Sequence, residues 1–160
     1  MIFDAFEEFA AAVGPMSALI GLDLGDKTIG VAVSDRIGAV ASPLETIRRK
    51  KFTADAERLL EIARSREAGG ILLGLPRNMD GTEGPRCQST RAFARNLSRL
   101  TELPIGFWDE RLSSVAAERA LLEADTSRKR RAERIDNVAA SYILQGALDR
   151  LRHMKAEGGA

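Results

Sequence analysis

Residues 18–34 read Ala-Leu-Ile-Gly-Leu-Asp-Leu-Gly-Asp-Lys-Thr-Ile-Gly-Val-Ala-Val-Ser. The apolar run over 18–25 is typical of a buried strand, and the β-branched residues of 28–34 predict a second strand. The dipeptide Asp26-Lys27 separates the two runs as a turn, so the pair is predicted to form a β-hairpin. A third strand over 40–48 would complete an antiparallel meander at the start of the domain.

Beyond the meander, helical and strand patterns alternate along the chain. Short apolar runs predict strands at 71–74 and 104–108, with a glycine-rich loop over 75–85. Alternating strands and helices are typical of parallel strand neighbours. We therefore predict an α/β fold with a mixed five-stranded sheet, an antiparallel meander followed by parallel strands, and helices on both faces. Helical faces are predicted at 56–63 (stopped by Gly69-Gly70), 93–100, 115–122 and 140–151.

The chain has 160 residues, which is the size of one domain. The main domain is predicted over 16–153 and a disordered tail over 154–160. A helical extension is predicted over 1–15, because apolar residues recur there at helical spacing: Ile2, Phe6, Phe9 and Val13.

Composition narrows the class of protein. The chain is 44% hydrophobic and 29% charged, which is typical of a soluble globular domain. No apolar run approaches the roughly 20 residues needed to cross a bilayer, and no membrane partner is predicted. A single cysteine and a single histidine exclude an internal disulfide and a cysteine–histidine zinc site. A cytoplasmic location is the resulting expectation.

Three acidic residues lie at positions where burying a charged carboxylate is energetically unfavourable or where ligands commonly bind. Asp23 lies within an apolar strand, where an ionised carboxylate is disfavoured unless it is paired, hydrogen-bonded or bound to a metal. Glu110 comes just after the strand that ends at Trp108, and strand ends are common ligand sites in α/β sheets. Asp136 lies one turn before Ala140 on the apolar face of the last helix.

Each acid also has a structural explanation. Asp23 can cap a strand end, Glu110 can be a loop acid in solvent, and Asp136 can be a first-turn acid stabilised by the helix dipole. Together they form an oxygen-only ligand set, which favours Mg²⁺ or Mn²⁺ over zinc. Two such ions about 4 Å apart recur in phosphodiester hydrolysis, because they stabilise both the attacking and the leaving oxygen.

Four segments form an ordered set of motifs. The first is 21–35 and the second is Gly-Leu-Pro-Arg-Asn-Met-Asp-Gly-Thr-Glu-Gly-Pro at 74–85. The third is Trp-Asp-Glu-Arg-Leu-Ser at 108–113, and the fourth joins Ser-Arg-Lys-Arg-Arg at 127–131 to Ile-Asp at 135–136. In this order they resemble the YqgF family, also called RuvX-like or pre-16S rRNA nucleases. Four ordered motifs are specific, whereas one alone would be weak.

The resemblance covers about residues 17–152 and implies a ribonuclease H-like fold, shared with relatives of Holliday-junction resolvases. It implies a metal-dependent nuclease that matures the 5′ end of 16S ribosomal RNA, with RNA as partner and two Mg²⁺ or Mn²⁺ ions as cofactor. On this match Asp23, Glu110 and Asp136 become the catalytic, metal-binding acids. The family often has Lys after the last acid, where this chain has Asn137, so a phosphate contact by that lysine is missing or moved here.

Basic residues near the motifs are candidates for phosphate contacts. The run 128–134 precedes Asp136, and as a flexible basic loop it would clamp the substrate. The alternatives are a solvated charged face for this run and a purely structural turn for 75–85. The predicted nucleic-acid-binding residues are Lys27, Arg77, Asn78, Arg86, Arg128, Lys129, Arg130 and Arg131.

Three other functions fit parts of the sequence. The segment 22–25 followed by Thr28 resembles the first phosphate motif of actin-like ATPases and sugar kinases, but those proteins close two large domains over the nucleotide. A non-catalytic RNA-binding factor of ribosome assembly, acting on the ribosomal particle, would bind without metal. A Holliday-junction resolvase-like DNA nuclease would use the same acids and would be expected to act as a homodimer.

Overall fold

A computed structural model describes residues 1–112 and 128–157, and within 128–136 it describes the helical backbone alone. The helix predicted at 115–122 lies outside the described residues. In chain order the elements are β1 (Ile2–Phe3), α1 (Phe6–Val13), β2 (Ala18–Leu24), β3 (Thr28–Ser34), β4 (Ala41–Arg48), α2 (Phe52–Ser65), β5 (Ala68–Leu75), α3 (Pro85–Ser98), β6 (Ile105–Asp109), a 3₁₀ turn (Glu110–Leu112) and α4 (Arg128–Glu157).

The strands form one mixed sheet in the order β1-β6-β5-β2-β3-β4. The pairs β2/β3 and β3/β4 are antiparallel, and β2/β5, β5/β6 and β1/β6 are parallel, which confirms the predicted meander and parallel strands. Within the described residues the sheet has six strands rather than five, because Ile2–Phe3 adds an edge strand beside Ile105 and Gly106. Two residues are too few to show strand periodicity, so the sequence predicts a helix from Ile2 onward. In the structure the helix begins at Phe6.

Helices cover both faces of the sheet, as predicted. Helices α2 and α3 pack on one face, where Leu22, Ile29 and Leu73 of the sheet meet Leu59 and Leu97. Helices α1 and α4 pack on the other face. The core there joins Phe9, Leu19, Leu72, Trp108, Ile143 and Leu144. Among the described residues no helix is both long and apolar enough to cross a membrane.

Helix α1 is part of the core. Phe9 is fully buried, and a Cβ on Gly106 would lie 2.6 Å from its Cγ atom. A Cβ on Gly70 would lie 3.1 Å from Phe9 Cζ. The Gly69-Gly70 pair was predicted to stop a helix, but both residues lie inside β5. These glycines make room for α1, a packing role that local sequence does not distinguish from a helix stop.

Helix α4 begins at Arg128, eight residues before Asp136. The predictions of a flexible loop at 128–134 and of a helix start at Asp136 are therefore wrong. Arg, Lys, Ala and Glu all favour helix, and this run extends the apolar-faced segment backward. At the other end the helix includes 154–157, with Arg150 and His153 3.8 Å and 3.3 Å from Glu157 carboxylate oxygens.

Candidate active site

Three parallel strands end at the same edge of the sheet. Asp23 is the next-to-last residue of β2, Gly74 is the next-to-last of β5, and Glu110 directly follows β6. The paired residues of β2 and β5 extend to Leu22 and Leu73, so Asp23 and Gly74 are the next positions along both strands. Adjacent strands lie about 4.8 Å apart, which places the two backbones side by side. The sheet therefore brings the predicted acids of β2 and β6 to one edge, with β5 between them.

The side chain of Glu110 crosses β5 at Gly74. A Cβ on Gly74 would lie 2.8 Å from Glu110 Oε1 and 3.3 Å from its Cγ. It would also lie 2.6 Å from Ile143 Cδ1, so Glu110 and α4 occupy the same side of the strand. Because Gly74 has no side chain, the Glu110 carboxylate can lie directly against β5, the strand between β6 and β2.

Asp23 is 3% exposed and lies between two glycine positions. On one side, its register partner in β3 is Gly30. On the other side, the neighbouring position in β5 is Gly74. Side chains alternate along a strand, so Asp23 shares a face with Gly21. A Cβ on Gly21 would lie 2.8 Å from Leu144 Cβ, which identifies this face as the one covered by α4. Asp23 and Glu110 therefore share one face of one sheet edge.

The backbone of Asp136 belongs to α4, and its side chain lies outside the described residues. Asp136 precedes Ala140 by four residues, about 6 Å along the helix axis. The carbonyl oxygen of Ala140 lies 3.3 Å from the position a Cβ would take on Gly21. Further along, Leu148 Cδ2 is 3.9 Å from the Cβ position of Gly38, so α4 leads from the Asp23 region toward the other end of β2.

The donor set fits a hard divalent cation. Asp23 and Glu110 supply carboxylate oxygens only, the ligands that Mg²⁺ and Mn²⁺ prefer. Two carboxylates on one face repel each other unless a cation or hydrogen bonds offset the charge. Within 1–112 and 137–157, no three His, Cys, Asp or Glu side chains form a metal-binding group. Asp136, whose side chain lies outside the described residues, is the predicted third carboxylate.

Asp109, beside Glu110, has a different role. Its Oδ2 accepts a hydrogen bond of 2.6 Å from Arg111 Nη2, and this contact holds the pKa of Asp109 below its usual range. Arg111 Nη1 also donates to the Met79 carbonyl at 3.4 Å. The pair thus joins the end of β6 to the loop after β5, and the Asp109 carboxylate is engaged by a structural partner.

Two of the predicted phosphate-binding residues lie in the loop after β5. Asn78 Nδ2 donates to Thr82 Oγ1 at 3.0 Å, and Thr82 in turn donates to Asp80 at 2.6 Å. The Asn78 side chain therefore helps to close its own turn. An Nη atom of Arg77 lies 3.5 Å from Glu83, whereas its Nε is buried with no hydrogen-bond partner among the described residues.

The remaining predicted basic residues lie in the β2–β3 turn, in α3 and in α4. Lys27 is exposed in the β2–β3 turn, where its carbonyl accepts from the Arg49 backbone N–H at 2.8 Å. Arg86 is exposed in the first turn of α3, and its Nη2 donates to the Leu24 carbonyl at 3.5 Å. The side chains of Arg128, Lys129, Arg130 and Arg131 lie outside the described residues, and their backbone is helical.

Sequence reasoning missed the spatial role of two residues. Gly74 belongs to the second motif, but its function as the gap beneath Glu110 requires knowing that β5 lies between β2 and β6. Arg49 stands out in the sequence only as part of a basic run. In the structure its Nη1 donates to the Gly25 carbonyl at 2.7 Å, just beyond Asp23. For Gly74, the signal in the sequence is an isolated glycine near a strand end.

A mixed sheet with one acid buried in the antiparallel hairpin and another at a parallel strand end fits the ribonuclease H-like fold, and carboxylates placed in this way are suited to phosphodiester chemistry. Similarity to known proteins assigns the chain to the ribonuclease H-like nucleases, which are hydrolases of phosphodiester bonds. A family model described as RuvX, Holliday junction resolvase, matches residues 17–150. The chain belongs to the RuvX family.

Relatives of high identity support this assignment, and a solved structure shares the fold. A protein of Ruegeria sp. (strain TM1040) named "Putative pre-16S rRNA nuclease" is 81% identical over 156 residues, 98% of this chain and 99% of the relative. A Ruegeria pomeroyi protein of the same name is 77% identical, covering 96% of this chain and 100% of the relative. Thermus thermophilus RuvC, solved with a Holliday junction substrate, matches the fold with a TM-score of 0.51 at 11% identity. That match covers 86% of this chain and 96% of RuvC.

Proposed function

We propose that this nuclease cleaves precursor 16S ribosomal RNA during maturation of its 5′ end. The observation that supports a reaction at this edge is the Glu110 carboxylate lying across Gly74, beside the strand that holds Asp23. Buried and half-buried carboxylates at strand ends are suited to phosphodiester chemistry with a hard cation. The rRNA substrate is inferred from the relatives that bear the pre-16S name.

Asp23, Glu110 and Asp136 would hold Mg²⁺ or Mn²⁺, two ions being expected. When bound, such ions polarise the scissile phosphate and stabilise charge on the attacking and leaving oxygens. Asp23 contributes a rigid carboxylate, because its side chain is buried within β2. Glu110 contributes a carboxylate from a residue that is half-buried at the end of β6.

Substrate binding would rely on cationic groups around the edge. Lys27, Arg77 and Arg86 lie on segments that follow β2 and β5 at this edge. Arg128, Lys129, Arg130 and Arg131 form the first turn of α4, on the same helix as Asp136. Phosphate contacts of this kind fix the position of a nucleic acid without reading its sequence. Asn78 would contribute through its backbone, because its side chain is engaged with Thr82.

The test compares cleavage of a precursor 16S 5′ leader RNA with cleavage of a four-way DNA junction, each with Mn²⁺, Mg²⁺ or EDTA. Asp23→Asn is the inactive variant, because it removes a carboxylate but keeps the shape of the side chain. Asp35→Asn is the matched control, since Asp35 lies beyond the opposite end of β3 and accepts the Ala39 backbone N–H at 2.8 Å. We expect metal-dependent RNA cleavage that Asp23→Asn abolishes and Asp35→Asn retains.

Other outcomes would redirect the proposal. Cleavage of the junction alone, abolished by Asp23→Asn, would retain the site and make DNA the substrate. Metal-independent RNA binding with no cleavage would favour a role as an assembly factor. Asp23→Asn cutting at the wild-type rate would contradict the assignment of the site. A homodimer, a ribosomal particle as partner and a cytoplasmic location stay predictions.

A further inference from the structure

A second cleft lies on the other side of the active-site edge. It has a volume of about 480 Å³ and is lined by the β2–β3 turn, the end of β4 and the start of α3. Leu24 lines it and packs with the α2/α3 core, whereas the preceding Asp23 shares a face with Gly21 under α4. The cleft and the carboxylates are therefore on opposite faces. The lining residues that bear charge are Asp26, Arg49, Lys50 and Arg86.

Arg49 is held in the cleft by two contacts. Its Nη1 donates to the Gly25 carbonyl at 2.7 Å, and its guanidinium lies 5.7 Å from the centre of the Phe93 ring. The Arg49 backbone N–H donates to the Lys27 carbonyl at 2.8 Å, which ties the end of β4 to the hairpin turn. A guanidinium that is fixed in position and keeps further N–H donors is a good phosphate ligand.

Lys50 is positioned through its backbone. Its N–H donates to Asp55 Oδ1 at 3.2 Å, and Asp55 is 4% exposed at the start of α2. The Lys50 side chain is exposed, and in the described part of the chain its ammonium has no carboxylate within 4 Å. Arg86 faces it across the cleft and is also exposed, with Nη2 3.5 Å from the Leu24 carbonyl. Three cations thus line the cavity, and among its described lining residues Asp26 is the single carboxylate.

We propose that this Arg49–Lys50–Arg86 cleft binds a backbone phosphate of the substrate strand, next to the phosphate that is cleaved. Gly25, which lines the cleft, is two residues from Asp23, so their Cα atoms are at most about 7 Å apart and the two sites are neighbours at one end of β2. A cavity lined by Arg and Lys at fixed positions has the chemistry of a phosphate contact. The inference rests on the proposed nuclease function and adds a point at which the uncleaved part of the strand is held.

The test measures binding without cleavage. Asp23→Asn protein is titrated with the precursor 16S leader RNA and with the four-way junction at several salt concentrations. Lys50→Gln and Arg86→Gln are compared with Lys51→Gln, which removes the same charge from the adjacent residue outside the cleft. We expect Lys50→Gln and Arg86→Gln each to weaken binding several-fold and to reduce the salt slope by about 0.7 to 0.9. Lys51→Gln should leave the slope unchanged.

The outcomes distinguish failure of the cleft proposal from failure of the proposed nuclease function. Equal effects of Lys50→Gln and Lys51→Gln would show a general charge effect and overturn the cleft as a site, even in a protein that cleaves RNA. A selective effect of Lys50→Gln and Arg86→Gln would support the cleft, even if no cleavage were found. Failure of the protein to bind either nucleic acid would overturn both proposals. Thermal unfolding of each variant establishes that the fold is retained.

Discussion

Glu110 and Gly74 are in direct apposition: the Cβ that Gly74 lacks would lie 2.8 Å from Glu110 Oε1. This distance, and the 2.6 Å from the same Cβ position to Ile143 Cδ1, are shorter than real Cβ contacts, so any side chain at 74 must displace both the carboxylate and Ile143. Both of these groups are the ends of flexible side chains. The missing side chain on β5 therefore leaves room for the carboxylate of Glu110, the residue that directly follows β6.

Gly74→Ala should impair catalysis more than folding. The added methyl group moves Glu110, and a displacement of about 1 Å at a reacting group can lower the rate about 10²-fold. We expect cleavage to fall by that order, with the melting temperature lowered by only a few degrees. Gly84→Ala is the control, since its Cβ would have an ordinary contact of 3.7 Å with Asn78. Equal activity of the two variants would contradict the role of Gly74.

Substitutions of the adjacent acids Glu110 and Asp109 should affect different properties, cleavage in the first case and loop structure in the second. Glu110→Gln removes a predicted metal ligand, so cleavage should be abolished while the melting temperature stays near that of the wild type. Asp109→Asn breaks the ion pair with Arg111, which should loosen the loop containing Met79 and retain measurable cleavage. Cleavage rates and thermal unfolding of both variants provide the test. The assignment fails if Asp109→Asn is the more damaging change to the rate.

Arg91 should make stability depend on pH. It donates to both carboxylate oxygens of Glu83 at 2.7 Å and to Asp4 at 2.8 Å, and the contact lowers the pKa of Glu83. A carboxylate whose pKa is lower when folded stabilises the protein fully above its unfolded pKa of about 4.5, and this stabilisation is lost as the pH falls below it.

Arg91→Gln should therefore lower the free energy of unfolding at pH 7 by about 1–2 kcal/mol. As the pH falls below about 4.5, the difference from the wild type should shrink, because the stabilisation that comes from the lowered pKa of folded Glu83 is progressively lost. Arg95→Gln, an exposed position one turn later, is the control. Urea denaturation at pH 7 and pH 3.5 measures both effects, and a difference that is constant with pH would contradict the prediction.

Phe9 should be essential to stability. It is fully buried over Gly70 and Gly106, so Phe9→Ala leaves a cavity beneath α1. We expect the free energy of unfolding to fall by about 3–5 kcal/mol. Glu8→Ala, an exposed change on the same helix, should stay within about 0.5 kcal/mol. A small effect of Phe9→Ala would show that α1 docks loosely and that the sheet folds without it.

The basic start of α4 should affect binding. Replacing Arg130 and Arg131 with Gln removes two positive charges from the helix that contains Asp136. We expect weaker RNA binding and a salt slope reduced by about 0.7–0.9 for each phosphate that is no longer neutralised. Replacing Arg150 and Arg152 removes the same charge near the other end of α4 and should leave the slope unchanged. Equal slopes for the two double variants would place the phosphate-binding cations elsewhere.

The local sequence was enough to predict most of the secondary structure. It was also enough to identify Asp23 and Glu110 as candidate site residues. The apolar run over 18–25 and the β-branched run over 28–34 specify the hairpin, because buried strands and the polar turn between them are encoded within a few residues. The burial of Asp23 and the strand-end position of Glu110 follow from their immediate neighbours for the same reason. The predicted start of α4 was wrong because helix-forming basic residues resemble a charged loop in composition.

Only the tertiary structure decided how these parts meet. The order of β2, β5 and β6 places Gly74 between two acids that are 87 positions apart in the chain, and no local pattern encodes that order. The Arg49–Lys50–Arg86 cleft likewise joins a strand end, a hairpin turn and a helix start. Such contacts depend on which elements become neighbours when the core forms. Hydrophobic burial drives core formation but is non-directional, so the neighbours are set by the whole chain.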